Sequence, residues 1–400
     1  YEGEQILFGP GLLFQCTKMD NLVVSAELCE DAWAPIPPSL RAATRGATII
    51  VNCSASTEVV GKDEYRKSLM AGTSARVMAG YIYANAGEGE STSDVVFGGH
   101  SVIAENGLIL KESKRFHNQV ISTEIDIRKL VNDRRRNTTF RMEENIGFER
   151  IPFHVDIEET ELTRAFHPMP FVPTSDTAKE RRWDESLEIQ ARGLKKRLMH
   201  TGARTAIVGI SGGLDSTLAL VVMAKAFDLL EKDRQGIIAV TMPCFGTTDR
   251  TYQNACRMTR KLGATLREIP IREAVTVHLK DIDHDLDNHD TTFENAQARE
   301  RTQVLMDIAN QEAGLVVGTG DMSELALGWA TYNGDHMSMY AVNCSIPKTL
   351  VRYLVQHYAE TCEDEELKEV LFDVLDTPVS PELLPPKDGV IDQKTEDLVG

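Results

Sequence analysis

Basic charge is scarce in this chain: 43 lysines and arginines stand against 61 aspartates and glutamates, a net charge of −18. A surface that neutralises a phosphate backbone needs the opposite balance, so general nucleic-acid binding is excluded. The run Arg134-Arg135-Arg136 is too short to reverse this and reads as a solvated segment between elements. Long apolar runs are missing as well. No stretch reaches the length that crosses a bilayer as a helix, so no membrane partner is expected. The seven cysteines are odd in number and include no C-x-x-C pair, which argues against a disulfide framework or a zinc site and fits a reducing, cytoplasmic setting. No secretory apolar region opens the sequence, yet Tyr1 is not an initiator methionine, and the numbering is expected to begin inside a longer protein.

What is present is the composition of a globular protein, 42% hydrophobic over 400 residues, enough for two domains. In the first half, residues 22–28 read as a strand, 38–46 as a helix, 47–53 as a buried strand and 62–80 as an amphipathic helix. Apolar segments at 81–85 and 95–97 follow, and then Asn106-Gly107 between two apolar runs signals a tight hairpin. Helices alternate with strands first and hairpins come later, which suggests an α+β layered domain. Residues 166–174 hold Pro168, Pro170 and Pro173. The interdomain linker is placed at 166–178, between domains at 1–165 and 179–400. Beyond it, strands at 205–210, 237–242, 265–269 and 315–317 alternate with helical sequence, the pattern of an α/β, doubly wound parallel sheet.

The first of these strands ends in Ser211-Gly212-Gly213-Leu214-Asp215-Ser216-Thr217, with a helical pattern directly after it. Small residues let backbone N–H groups approach an oxyanion, the helix N-terminus adds its positive dipole end, and the hydroxyls can donate, so the loop reads as a phosphate cradle. A glycine-rich turn between core elements is the plainer alternative. The lysine of G-x-x-x-x-G-K-[ST] is lacking, which disfavours an ordinary kinase or GTPase. Asp215 stands there instead, and would repel phosphate unless Mg²⁺ sat between them.

Two more strand ends are polar. Gly318-Thr319-Gly320-Asp321-Met322-Ser323-Glu324 follows one, and it reads either as a third nucleotide loop, with Asp215 and Glu324 as Mg²⁺ ligands, or as a helix N-cap at Asp321 or Ser323. Ser323 occupies the last glycine position of G-x-G-x-x-G, so a dehydrogenase reading fails. The other loop, residues 243–250, contains Gly246, Asp249 and Arg250. Asn295 and Arg299 lie four apart on a predicted helix and share a face suited to an amide and an anion, or merely to solvent. Asp283, Asp285, Asp287 and Glu294 have part of the calcium-loop spacing, but Asn288 stands in place of the glycine, and an EF-hand is rejected. In the first half, Cys29 ends a strand at Cys29-Glu30-Asp31-Ala32-Trp33, where it is either an exposed nucleophile or a buried inert thiol.

The loop S-G-G-x-D-S resembles that of enzymes that cleave ATP between its α and β phosphates. Together with Phe293-Glu294-Asn295, Leu325-Ala326-Leu327-Gly328-Trp329 and Ser345-Ile346-Pro347-Lys348-Thr349-Leu350, and with Glu27-Leu28-Cys29-Glu30-Asp31 before Pro35-Ile36-Pro37-Pro38-Ser39, it resembles glutamine-dependent NAD⁺ synthetases over nearly the whole chain. The resemblance implies a partial nitrilase-like αββα layered domain followed by an ATP-pyrophosphatase (adenine nucleotide alpha hydrolase-like) domain. It implies a ligase that amidates deamido-NAD⁺ through an adenylate, with ATP and Mg²⁺, AMP and pyrophosphate as products, ammonia from glutamine, and a homo-oligomer. Cys29 would attack glutamine, which Ser56 and Lys62 would bind. Gly209, Ile210, Ser211, Gly212, Gly213, Leu214, Asp215, Ser216 and Thr319 would bind ATP. Asn295, Arg299, Glu324, Trp329 and Gly334 would lie against deamido-NAD⁺.

The family's glutaminase triad also needs a glutamate and a lysine well upstream of the cysteine. Neither Lys18 nor Glu27 stands in the right motif, and the C-terminal end stops short of the family's last helices, so an internal fragment is expected. Two rivals remain. A carbon–nitrogen hydrolase (amidase) with a nucleotide-sensing domain would hydrolyse amides without making AMP. A non-catalytic scaffold would leave Asp215 and Glu324 as acids at a phosphate loop with nothing to hold.

Overall fold

A computed structural model describes residues 3, 5–246 and 249–377, and the chain divides into two compact units between His167 and Pro168. No described helix is long and apolar enough to cross a membrane.

The first unit contains β1 (Leu12–Cys16), β2 (Val23–Leu28), α1 (Pro38–Thr44), β3 (Ile49–Ser54), α2 (Lys62–Val77), β4 (Gly80–Asn85), β5 (Val102–Glu105), β6 (Leu108–Glu112), α3 (Ile127–Arg136) and β7 (Glu149–Phe153). One seven-stranded sheet is formed in the order β6-β5-β4-β3-β2-β1-β7. The centre, β2 to β4, is parallel, so the carboxyl ends of these strands lie along one edge. The hairpin between β5 and β6 turns at Asn106-Gly107 with φ of 44° and 90°, the doubly left-handed turn that this dipeptide tolerates. The apolar segment at residues 95–97 is irregular. The Val96 carbonyl accepts a hydrogen bond from the Glu58 N–H at 2.8 Å, so the segment braces the loop after β3.

The arginine run is a correction. Arg134 to Arg136 form the last turn of α3, and Arg134 is buried at 7% exposure. Its guanidinium donates to the carbonyls of Ala47 (2.7 Å), Val77 (2.9 Å) and Met78 (3.1 Å) and lies over the Phe140 ring. Two of those carbonyls are at the C-terminus of α2, where a cation is favoured and acceptors lack helical partners. Charge counting missed this because the long apolar stem buries while the planar head serves as a cap. Burial pushes its pKa down to about 10.

The second unit contains α4 (Asp176–Thr201), β8 (Thr205–Gly209), α5 (Leu214–Leu229), β9 (Ile237–Thr241), α6 (Asp249–Lys261), β10 (Thr265–Glu268), α7 (Arg272–Asp281), α8 (Thr291–Gln311), β11 (Gly314–Gly318), α9 (Met322–Leu327), β12 (Tyr340–Ala341), α10 (Lys348–Thr361) and α11 (Glu365–Leu375). All neighbouring strands pair in parallel, in the order β10-β9-β8-β11-β12. Helix α4 begins inside the stretch read as linker and buries Trp183, Leu187, Ala191, Leu194 and Leu198 on one stripe. Helix α5 is covered on nearly every side, with Leu218 to Ala224 all buried, because it is wedged between α4, α10 and the sheet. The opposite face of the sheet is closed by α7 and α8 around Phe293, Val275 and Ile308. The strand order reverses between β8 and β11. At such a switch point the two following loops diverge to opposite faces and leave a crevice at the carboxyl ends of the strands.

Arg134→Ala is expected to destabilise the first unit by about 2–4 kcal/mol, the cost of orphaning buried carbonyls at a helix end. Arg134→Lys should recover part of it. Urea unfolding together with amide exchange in the last turn of α2 would show the loss, and an unchanged midpoint would mean that water replaces the guanidinium.

Candidate functional site

The loop after β8 shapes itself through its own hydroxyls. Ser211 Oγ accepts from the Gly213 N–H (3.1 Å) and meets Ser216 Oγ at 3.1 Å. Ser216 and Thr217 hydroxyls donate to the Gly213 carbonyl at 3.1 and 2.7 Å. Gly212 has φ +85°, and a Cβ there would overlap the carbonyl oxygen of Thr251 in the first turn of α6. Glycine is required at that position both by conformation and by close approach. Helix α6 is tied in turn to α11 by ion pairs between Arg250 and Asp373 (2.7 Å), Arg257 and Glu369 (3.1 Å), and Lys261 and Glu366 (2.5 Å). The loop therefore presents the N-terminal end of α5, a helix of 16 residues, toward the crevice. Residues 247–248 of the loop at 243–250 lie outside the described residues.

Across the crevice, Asp321 caps α9 by accepting from the Glu324 N–H (2.9 Å), and Glu324 accepts in return from the Asp321 N–H (3.1 Å). The helix-cap alternative for this segment is thus observed. Capping nonetheless leaves other carboxylate oxygens facing Asp215. Ligand atoms of Asp215, Asp321 and Glu324 all lie within 4.8 Å of one another.

The Lys348 ammonium joins the three: Nζ is 2.5 Å from Asp215, 3.3 Å from Asp321 and 3.6 Å from Glu324. Burial, then the nearby charges of Asp215 and Asp321, push the Glu324 carboxyl up to about 7, with Lys348 opposing. Burial alone would lower the Lys348 pKa, but Asp215 first and then Glu324 and Asp321 hold it above the usual lysine value. Lys348 and Asp321 are the residues that motif reading left without a charge-bearing role. The usable signal was Pro347-Lys348, a cation at the first position of a helix opened by proline, although its partner lies 133 residues away.

On α8, Arg299 Nε donates to the Tyr332 carbonyl (3.3 Å), and Thr302 donates to the Gly334 carbonyl (2.8 Å). Residues 329–334 are thereby held against the helix that carries Asn295 and Arg299, and Trp329 stays half exposed. The Trp329 N–H donates to the Glu324 carbonyl at 2.9 Å, linking this segment to the carboxylates. Asp290, which lies among the acids of the rejected calcium-loop spacing, caps α8 through the N–H groups of Thr292 and Phe293.

In the first unit, Cys29 follows β2 with φ +46°, a left-handed position that a non-glycine residue occupies at a cost of order 1–3 kcal/mol. It is half buried. Glu27, two residues before it, is buried and accepts from the Tyr81 hydroxyl and from the Ser39 N–H (2.8 Å). Ser56 follows the adjacent strand β3, where Asn85 brackets its backbone at 2.8 and 3.0 Å, and Lys62 opens α2 after Gly61. Cys29 and Ser56 thus sit past the carboxyl ends of neighbouring parallel strands. Between Ser56 and Lys62, Glu58 is locked to the buried Arg66 (3.0 Å), which meets His100 at 2.8 Å.

Because the fold disfavours a charged Glu324, Glu324→Gln is expected to stabilise the protein at pH 8 by on the order of 1–3 kcal/mol. A carboxyl whose folded pKa is raised costs stability above that pKa. The advantage should therefore shrink as pH falls through about 7 toward the ordinary carboxylate range, where the wild-type side chain is neutral. Urea unfolding at pH 8 and pH 5 measures it; a less stable variant at pH 8 would mean that the Lys348 pair dominates.

A family model described as NAD synthase matches residues 187–382. The chain is 41% identical over 412 residues to the glutamine-dependent NAD(+) synthetase of Mycobacterium leprae, covering 98% of this chain and 60% of that protein. It is 27% identical to the enzyme of the same description from Thermotoga maritima, over 92% of this chain and 62% of the relative. A solved glutamine-dependent NAD+ synthetase from Acinetobacter baumannii, in complex with adenosine diphosphate, aligns with 88% of this chain and 58% of its own at 22% identity and a TM-score of 0.46. The chain thus spans about three fifths of the length of the curated relatives it matches. Residues 187–382 thus match the NAD synthase family model, and along nearly its whole length the chain is similar to glutamine-dependent NAD(+) synthetases.

Proposed function

We propose that this chain carries out ATP-dependent amidation of deamido-NAD⁺ to NAD⁺, with ammonia taken from glutamine at Cys29. The observation that carries the reading is the convergence of Asp215, Asp321, Glu324 and Lys348 at the switch point, beside a loop shaped for phosphate. Three carboxylates with oxygens within 4.8 Å suit a hard divalent cation. When bound, Mg²⁺ would supply charge neutralisation for the departing pyrophosphate.

The chain's own residues do the rest. The N–H groups of residues 211–214 and the dipole of α5 hold the phosphates of ATP. Lys348 keeps the acids from repelling them. The nicotinate carboxylate attacks the α-phosphorus, forming a P–O bond as the bond to pyrophosphate breaks. Ammonia then adds to the acyl carbon, loses a proton, and displaces AMP. A carboxylate is a poor electrophile, and adenylation gives it a leaving group. Asn295, Arg299 and residues 329–334 hold deamido-NAD⁺, with Trp329 offering a flat face.

At the other site the Cys29 sulfur attacks the glutamine side-chain amide, releases ammonia, and leaves a thioester that water hydrolyses. Ser56 and Lys62 hold the glutamine. Delivery of ammonia without passage through bulk water would keep it unprotonated and spare the adenylate from hydrolysis. We further propose a homo-oligomer acting in the cytoplasm.

With the full-length protein, AMP formation from ATP, Mg²⁺ and deamido-NAD⁺ is expected with either glutamine or ammonium. Cys29→Ala should abolish only the glutamine-driven reaction. Asp215→Asn should lower AMP formation at least about 100-fold with both donors while glutamine hydrolysis persists, the scale seen when a charge-stabilising group is removed. No AMP from the wild type with either donor would overturn the ligase reading in favour of an amide hydrolase.

A further inference from the structure

The three carboxylates come from two separate loops, and something must fix the distance between those loops. Asn343, fully buried in the turn between β12 and α10, is placed to do so. Its two Nδ2 hydrogens go to two different loops: one to the carbonyl of Asp215 and one to the carbonyl of Thr319, each at 3.0 Å. Its Oδ1 accepts from Gln190 Nε2 at 3.0 Å, and the same Gln190 amide donates to the Val342 carbonyl at 2.9 Å. Gln190 projects from the buried stripe of α4.

The donor count makes this arrangement specific. A primary amide has two N–H donors and one carbonyl, and all three are used. Aspartate at this position would set a carboxylate against two carbonyls, and leucine would donate to neither of them. The surrounding turn adds further ties to the second loop. The Met322 N–H donates to the Ile346 carbonyl (2.9 Å), and the Lys348 N–H donates to Ser323 Oγ (3.0 Å).

We infer that Asn343, oriented by Gln190, is the positioning residue that sets the spacing between Asp215 and the Asp321–Glu324 pair, and so the geometry in which the chain holds a divalent cation. It touches neither cation nor substrate. It works through the backbone of the residues that would, as outer-shell partners do in metal sites. The inference rests on the proposed function in that it takes a divalent cation to be the ligand of the three acids.

The test measures Mn²⁺ affinity by electron paramagnetic resonance, alongside urea unfolding and AMP formation, on wild type, Asn343→Ala, Gln190→Met and the double variant. Asn343→Ala is expected to weaken Mn²⁺ binding by about 10-fold or more. Gln190→Met should weaken it less, and should add little in the double variant, because its effect on the spacing of the two loops passes through Asn343 while its bond to the Val342 carbonyl reaches neither loop. Thr259→Val is the control for stability alone, since that buried hydroxyl bonds only within α6, to the Ala255 carbonyl; it should leave Mn²⁺ affinity unchanged at a comparable unfolding shift.

Mn²⁺ affinity of Asn343→Ala within about twofold of wild type would overturn the inference, as would an additive double variant or an equal loss in the control. No Mn²⁺ binding by the wild type would overturn it too. If the wild type binds Mn²⁺ and the variants behave as expected but no AMP forms, the positioning role stands and the ligase reading fails. If AMP forms and Asn343→Ala binds Mn²⁺ normally, the reverse holds.

Discussion

Three carboxylates held within 4.8 Å of one another are an electrostatic liability, and the second unit is organised around making it tolerable. Like charges at that spacing repel strongly in a partly dry setting. Two responses are visible: Glu324 is driven toward neutrality, and the ammonium of Lys348 is drawn among all three acids. Neither response removes the tension. A site that stores unfavourable charge is one that gains when a small cation and a polyphosphate arrive together, because each neutralises what the other brings.

The sheet explains why these acids can meet. Asp215 belongs to the helix after β8, and Asp321 and Glu324 to the segment after β11. The two strands are neighbours in space although about a hundred residues separate them in the chain. Parallel pairing places both following loops at the same edge, and the reversal of strand order parts them just enough to admit a ligand. Lys348 arrives from a third direction, at the first residue of α10. One site thus draws on the segments that follow three strands of the same sheet, β8, β11 and β12. In the first unit the same logic, with less elaboration, puts Cys29 and Ser56 past adjacent parallel strands.

What could be read from the sequence was what is local. The Ser-Gly-Gly-Leu-Asp-Ser loop announces itself because glycines, hydroxyls and a helix start are contiguous, and the Asn106-Gly107 hairpin because two residues suffice to define it. Strands β1 and β7 went unread. They are five-residue edge-side segments whose pairing with each other joins Leu12–Cys16 to Glu149–Phe153; β1 lacks clean alternation, although Gly9-Pro10-Gly11 directly before it was a usable turn signal. Arg134 was misjudged because composition counts its charge and not its reach. The charge partnership of Lys348 was hidden for a related reason: the motif was recognised as a motif, but a partner 133 residues away has no signature in spacing. The cap at Asp321 was a fair alternative to a ligand role, and the structure shows that one carboxylate side chain can serve as cap while its second oxygen meets Lys348.

The contact between Gly212 and Thr251 reaches beyond the loop itself. Thr251 belongs to the first turn of α6, and α6 is joined to α11 by ion pairs of half-exposed side chains that flank a buried seam of Ala255, Met258, Leu367, Val370 and Leu371. Such pairs weaken as salt rises, while the apolar seams beneath α5 do not. The loop at residues 211–213 therefore leans on a helix whose anchoring has a component that varies with ionic strength, a sensitivity that none of the loop's own residues would confer.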